Sequence, residues 1–294
     1  MTFAQLIVSG IMIGGIYALM SVGLTLIFGV LRIVNFAHGE FLMIAMYGAW
    51  AVSAFLELNV YVATIGIIPL LFLIGWLVYR LVVERTLDKP HLIAVFATMA
   101  LSIFAQNAAL ILFSADLRDV PPLFGNRTLS FAGLYARLEL VLGFLISLSV
   151  TAALMWGLRA TYVGKAVRAT VQDREAAALM GIPVPRLFLL TFAFGSALIG
   201  LAGCIMLPLF SVFPTVGLNF VIIAFVIVVL GGMGSVEGAL IAGMLIGIIQ
   251  NISAYYVAPA YGQMFYFLLF LLVMIFRPAG LLGQKGAATI GLSE

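Results

Sequence analysis

Residues 159–186 read RATYVGKAVRATVQDREAAALMGIPVPR, and the rest of the chain is understood by contrast with them. The stretch carries seven charged side chains, Arg159, Lys165, Arg168, Asp173, Arg174, Glu175 and Arg186, in a protein of 294 residues with only 14 Lys+Arg and 11 Asp+Glu. On both sides of it the sequence is almost continuously apolar. Charged residues make up 9% and hydrophobic ones 65%, whereas soluble domains carry about 25% charged residues. A membrane span takes roughly 20 residues, so spans fill most of this length and leave no room for a sizeable soluble domain. The expectation is an all-α, polytopic helical membrane protein, one transmembrane unit over 1–294 with about eight to ten helices. The net charge of +3 is then a matter of where the basic residues lie, and no nucleic-acid partner is implied. A single cysteine, Cys204, excludes an intramolecular disulfide and reads as a small packing residue.

Inside the polar stretch, Asp173 to Ile182 predicts a short helix. Three alanines and Leu179 favour it, Asp173 and Glu175 suit its positive N-terminal end, and Gly181 with Pro183 and Pro185 stops it. Such a helix at the water face offers an alanine-rich side to a partner; the plain alternative is a cytoplasmic loop whose charges only set topology.

At these residues the chain resembles a known family. Glu175, Ala176, Ala177 and, after three residues, Gly181 match the Glu-Ala-Ala-x-x-x-Gly core of the loop by which ABC-importer permeases dock on their ATPases. The fuller consensus ends Ile-x-Leu-Pro, where this chain has Val184, Pro185, Arg186 and Leu187. Two further stretches narrow the resemblance to the branched-chain amino-acid (Liv-type) permeases. One is Val34, Asn35, Phe36, Ala37, His38, Gly39, Glu40; the other is Val229, Leu230, Gly231, Gly232, Met233, Gly234, Ser235. The resemblance implies that Asp173, Arg174, Glu175, Ala176, Ala177 and Gly181 seat in a groove of a separate ATP-hydrolysing subunit. It further implies a second related permease, two ATPase subunits and an extracytoplasmic substrate-binding protein in a bacterial inner membrane. ATP and Mg then belong to the ATPase partners, and this chain binds no cofactor of its own.

Taken in order, the sequence predicts a first span over 5–28. It has no basic region ahead of it and reads as retained, with Gly10 and Gly14 spaced for close helix packing. Between Val30 and Glu40, Arg32, Asn35, His38 and Glu40 interrupt apolar sequence. Two readings stay open there: a broken helix whose Asn35, His38 and Glu40 line the route of transport, or caps and hydrogen bonds at a helix junction. The apolar run 41–55 follows as the second span, and further spans are expected at 60–82, 91–113, 139–158, 187–210 and 261–276. Gln106 and Asn107 in the fourth could meet a polar substrate or a neighbouring helix. The loop 114–137, with Pro121, Pro122 and Gly125, reads as an exposed external hairpin or short lid. Residues 218–256 read as two short spans around the glycine turn at 231–235. A faint echo links His38–Ile44 with Ser235–Ile241, each placing a glutamate, Glu40 or Glu237, before an apolar helix. Paired interruptions of this kind flank substrate sites in transporters, which makes Gly232 and Glu237 candidates beside the first break; chance resemblance is the alternative.

With this layout the cytoplasmic side collects Arg80, Arg85, Lys89, Arg159, Lys165, Arg168, Arg174, Arg186, Arg277 and Lys285. The outside receives only Arg118, Arg127 and Arg137, which favours an external N-terminus. No Walker sequence is present, since Gly164 and Lys165 are followed by Ala166. Nor is there a zinc or nucleophile-elbow motif, and His38 and His91 lie on different segments. A permease subunit of an importer for branched-chain or related amino acids is therefore the leading expectation. The same family with urea, amides or small aromatic carboxylates as cargo, an ion-coupled secondary transporter and an intramembrane enzyme are the alternatives.

Overall fold

The computed structural model describes residues 2–122, 124–125, 127–131 and 133–283. It is helical almost throughout, with eight helices long and apolar enough to cross a membrane and one shorter apolar helix, Val216–Gly231. The protein is thus a multi-pass membrane protein. In chain order the elements are α1 (Thr2–Leu31), α2 (His38–Leu56), α3 (Val60–Val78, extended by a π-helical turn at Tyr79–Val83) and α4 (His91–Phe113). A small hairpin of β1 (Thr128–Phe131) and β2 (Leu134–Arg137) precedes α5 (Leu138–Ala160). Then follow α6 (Tyr162–Gln172), α7 (Arg174–Leu179), α8 (Val184–Met206), α9 (Val216–Gly231), α10 (Val236–Tyr256) and α11 (Gly262–Phe276).

The core is a sandwich of α1 and α8 with α10, α3 and α2 against them. Most of α1 and α8 is buried, whereas α4, α5 and α11 show most of their surface, as expected of helices that face lipid or another subunit. Small residues let α1 and α10 run antiparallel at close range: a Cβ on Gly14 would stand 2.4 Å from Gly243 O, and one on Gly10 2.6 Å from Ile248 Cα. We expect Gly14→Leu to separate these helices at a cost of about 3 kcal/mol or more. A thermal melt of the detergent-purified protein reads it, and an unshifted Tm would contradict this packing.

The helix directions give the molecule two ends. Leu31, Val83, Ala160, Val184, Gly231, Val236 and Phe276 lie towards a basic end that carries α6 and α7. The opposite end carries the hairpin. Residues 32–37 are not helical. They turn at Arg32, whose φ is +55°, and lead from the end of α1 back into the bundle, where His38 meets the Met20 carbonyl. Met20 stands 11 residues before Leu31, about 16 Å along α1 and near the middle of a hydrocarbon core of ~30 Å. The second span, α2, therefore begins inside the bundle after a six-residue non-helical entry, an interruption at the polar residues read from the sequence.

Several boundaries differ from the sequence reading, each for a local reason. α1 overruns 5–28 at both ends because its sequence contains no breaker. The short helix shrinks from Asp173–Ile182 to Arg174–Leu179, because Asp173 serves as its N-cap and Gly181, at φ +83°, ends it. Pro183 lies in the connection just ahead of α8, whereas Pro185 falls in the first turn of α8, where a missing N–H does no harm, so that span starts at Val184 and ends at Met206. α6 is an addition, an amphipathic helix that buries Gly164, Ala166, Val167 and Thr170 and is capped by Thr161 on Gly164 N at 3.1 Å. Among the described residues, the β-hairpin within 114–137 and an isolated bridge between Arg118 and Val212 depart from an all-α chain. The split of 218–256 into two helices about a glycine turn is found as expected, with Ser235 capping α10 through Gly238 N at 3.0 Å. Lys285, counted among the basic residues, lies outside the described residues.

Candidate functional site

At the break before α2, Glu40 and Gln106 meet directly, Asn35 turns the chain and His38 faces α1. The backbone there is satisfied locally, as lipid requires. Ala37 N donates to Asn35 Oδ1 at 3.1 Å, His38 N to Asn35 O at 3.3 Å, and Phe36 N to the Thr98 hydroxyl at 3.3 Å. Asn35 thereby closes a turn just ahead of α2, and its Nδ2 is buried without a hydrogen-bond partner among the described residues. His38 is fully buried with Nε2 3.1 Å from Met20 O, an arrangement that puts the ring proton on Nε2 and leaves Nδ1 an acceptor without a partner.

Glu40 is the centre of the cluster. Its Oε1 accepts from Ser102 Oγ at 2.9 Å and Gln106 Nε2 at 2.8 Å, and Gln106 Nε2 also lies 3.0 Å from Ser102 Oγ. Its Oε2 is buried and has no hydrogen-bond partner among the described residues. The floor on that side is backbone: α2 and α9 touch at Gly39 and Gly217, and a Cβ on Gly217 would stand 2.8 Å from Glu40 Oε2. A carboxylate oxygen left unpaired at this depth is expensive, and such groups in spans mark pathways more often than scaffolds.

The other candidates lie elsewhere. Asn107, on the adjacent face of α4, is exposed and donates to Ile103 O at 2.7 Å. Gly232 and Glu237 belong to the basic end, some 15 residues or roughly 22 Å along α9 from Gly217. Gly232, at φ +103°, is covered by the chain after α11, whose Leu281 N and Leu282 N donate to Leu230 O and Gly231 O at 2.8 and 3.0 Å. Glu237 forms an ion pair with Arg159. The two interruptions thus sit at different depths, one in the bundle and one at its basic end.

The second constellation is α6–α7. Asp173 Oδ1 accepts from Glu175 N and Ala176 N, both at 2.9 Å, which sets the first turn of α7. Ala177 is the face of α7 that packs inward, and the Arg174 guanidinium rests 5.1 Å from the Phe188 ring centroid of α8. Glu175, Ala176 and Ala178 are exposed. So are Leu179 at 88% and Met180 at 84%, an apolar tip at the basic end with no element over it among the described residues. Arg32 Nη2 donates to Val171 O at 3.2 Å, tying α6 to the start of the break.

A profile of the family described as branched-chain amino acid transport system / permease component matches residues 6–274. The chain belongs to that family. The high-affinity branched-chain amino acid transport system permease protein LivH of Escherichia coli K12 is 31% identical over 298 residues, covering 96% of each chain. BraD of Pseudomonas aeruginosa, a permease of the same description, is 30% identical over 303 residues, again with 96% of both chains. A probable branched-chain amino acid transport permease LivH of Methanocaldococcus jannaschii is 26% identical over 307 residues. No solved structure matches the chain. Membership of a transport-permease family agrees with a chain that carries no nucleotide-binding motif.

The structure also shows polar groups in this permease that the sequence reading passed over. Ser102 stands one turn before Gln106 on α4, a spacing that could have flagged it as Gln106's companion. Glu139, taken as an ordinary span-end charge, is fully buried, with Oε1 3.4 Å from Phe124 N and Oε2 4.0 Å from Arg137 Nε. At the hairpin end Arg118 lies 4.3 Å from the Trp50 ring centroid and donates to Phe113 O at 2.7 Å, closing the loop over α2 and α4.

Proposed function

We propose that this permease imports branched-chain or related amino acids across a bacterial inner membrane as one subunit of an ATP-driven complex. A related second permease, two ATPase subunits that hold ATP and Mg, and an extracytoplasmic binding protein complete it. The observation that carries the reading is the exposed tip of α7. Leu179 and Met180 stand at the basic end, which the charge bias assigns to the cytoplasm, so water rather than lipid would face them unless a partner covers them. Asp173, Arg174, Glu175, Ala176, Ala177 and Gly181 shape that docking helix: Asp173 and Gly181 set its two ends, Arg174 and Ala177 fix it on α8, and Glu175 and Ala176 face outward.

Movement of the ATPases would pass through α6 to Arg32 and the non-helical segment, and from there to His38 and Glu40. Glu40, with Ser102 and Gln106, is the group on the route best suited to a cationic ammonium. Asn35, Gln106 and His38 line the same region, Asn107 would contribute only towards a second subunit, and Gly232 and Glu237 would act at the cytoplasmic exit. The loop 114–137 would face the binding protein.

Tagged chain drawn from native membranes should bring about two ATPase subunits with it per copy, and a chain that purifies alone yet moves solute without ATP would establish an ion-coupled transporter instead. The family's other small cargoes, urea, amides and aromatic carboxylates, are separated by which loaded binding protein stimulates hydrolysis.

A further inference from the structure

Along α5, Leu148, Ala152, Met155 and Arg159 recur at helical spacing and, with Trp156 and Leu240 of α10, line a groove of ≈ 330 Å³. Ala152, Trp156 and Arg159 are exposed, so the groove is open along its length. Its walls are apolar until the last turn, where the Arg159 guanidinium stands at the mouth, paired through one nitrogen with Glu237. Arg168 of α6 reaches back to the Leu158 carbonyl and brings a second cation to the same helix end. Lys165, one turn earlier on the exposed side of α6, adds a third, against the single carboxylate of Glu237.

Two features give this place its depth. From Leu148 to Arg159 the helix rises about 16 Å, half of a hydrocarbon core of ~30 Å, so the groove is one leaflet deep with its cations at the boundary. Trp156, 68% exposed, and Tyr162, 79% exposed, flank the mouth. Amphipathic rings gather at that level of a membrane.

We propose that the groove is a binding site for a phospholipid with an anionic headgroup. An acyl chain lies along Leu148, Ala152 and Met155, and the phosphate meets the free donors of Arg159 together with Arg168. A bidentate guanidinium–phosphate contact suits Arg better than a point charge. The site adjoins the α5–α6 corner, so a bound lipid would brace the helix pair that carries α7.

Native mass spectrometry of the delipidated complex tests it. The complex is offered dioleoyl phosphatidylglycerol, dioleoyl phosphatidylcholine or, as a headgroup without chains, glycerol 3-phosphate. Phosphatidylglycerol should be retained on the order of tenfold more strongly than phosphatidylcholine, since each Lys or Arg near the surface favours an anionic lipid. The double variant Arg159→Gln, Arg168→Gln should remove that preference. Ala152→Trp, which fills the groove and leaves the cations in place, should lower retention of both lipids, and it carries the test if the double variant does not assemble. Equal retention of the two lipids by the unaltered complex, retention indifferent to Ala152→Trp, or capture of glycerol 3-phosphate as firmly as the lipid would each overturn the proposal.

Discussion

Replacing Leu179 and Met180 together by glutamate should strip the ATPase subunits from the complex while leaving the transmembrane bundle folded. Both side chains are almost fully exposed and neither contributes to the core, so the bundle loses little. The interface loses its apolar anchors. Central apolar residues of an interface cost about 2 kcal/mol or more each when removed, and two of them correspond to roughly a thousandfold in affinity. Two carboxylates placed where apolar contacts belong add a desolvation penalty. The readouts are co-purification of the ATPases with the tagged variant and its melting temperature. ATPases retained at the unaltered level would mean that another surface docks them.

The second large effect is expected at Glu40. Glu40→Gln keeps an oxygen for the Ser102 and Gln106 donors, 2.9 and 2.8 Å from the carboxylate in the native chain, so assembly and Tm should change little. Uptake should fall by at least about tenfold, because the charge that would hold an ammonium is gone; each 1.4 kcal/mol lost in the transition state is tenfold. Glu40→Leu removes the acceptor as well and leaves the buried Ser102 hydroxyl without it, about 1–3 kcal/mol, while Gln106 keeps only its contact with Ser102, so that variant should lose stability too. The comparison separates roles: if Gln supports full uptake and only Leu fails, Glu40 is a clasp between α2 and α4, and the route lies elsewhere.

The spans and their breaks were legible because membrane helices announce themselves by composition. Pro90 and the polar, turn-rich loop from Ser114 bound one mostly apolar run, and the glycine turn at 231–235 divides another, so α4 and the α9–α10 pair fell where expected. Helix α6 was not legible. Its Lys165 and Arg168 sit among Gly, Thr and Ala, a mixture that resembles loop, and only α5, α7 and α1 beside it give its small residues something to pack against. The break at 32–37 was visible in its polar residues. Its depth was not, since that depends on His38 finding Met20 on another crossing. Likewise the clasp of Glu40 by Ser102 joins residues far apart in sequence, with a serine unremarkable in an apolar helix. Helix α7 could be found from its Glu-Ala-Ala pattern, but the exposure of Leu179 and Met180 could not: Leu and Met in a helix ordinarily point to a core, and only the fold shows that the described residues provide none.

The most direct test of the central claim is uptake of radiolabelled leucine into proteoliposomes holding the purified complex, with binding protein outside and ATP inside or withheld. Uptake that requires both ATP and the binding protein, and that vanishes in the Leu179→Glu, Met180→Glu variant, is the result expected of an importer driven through α7. Uptake that proceeds without ATP, or that persists in the variant, would contradict it.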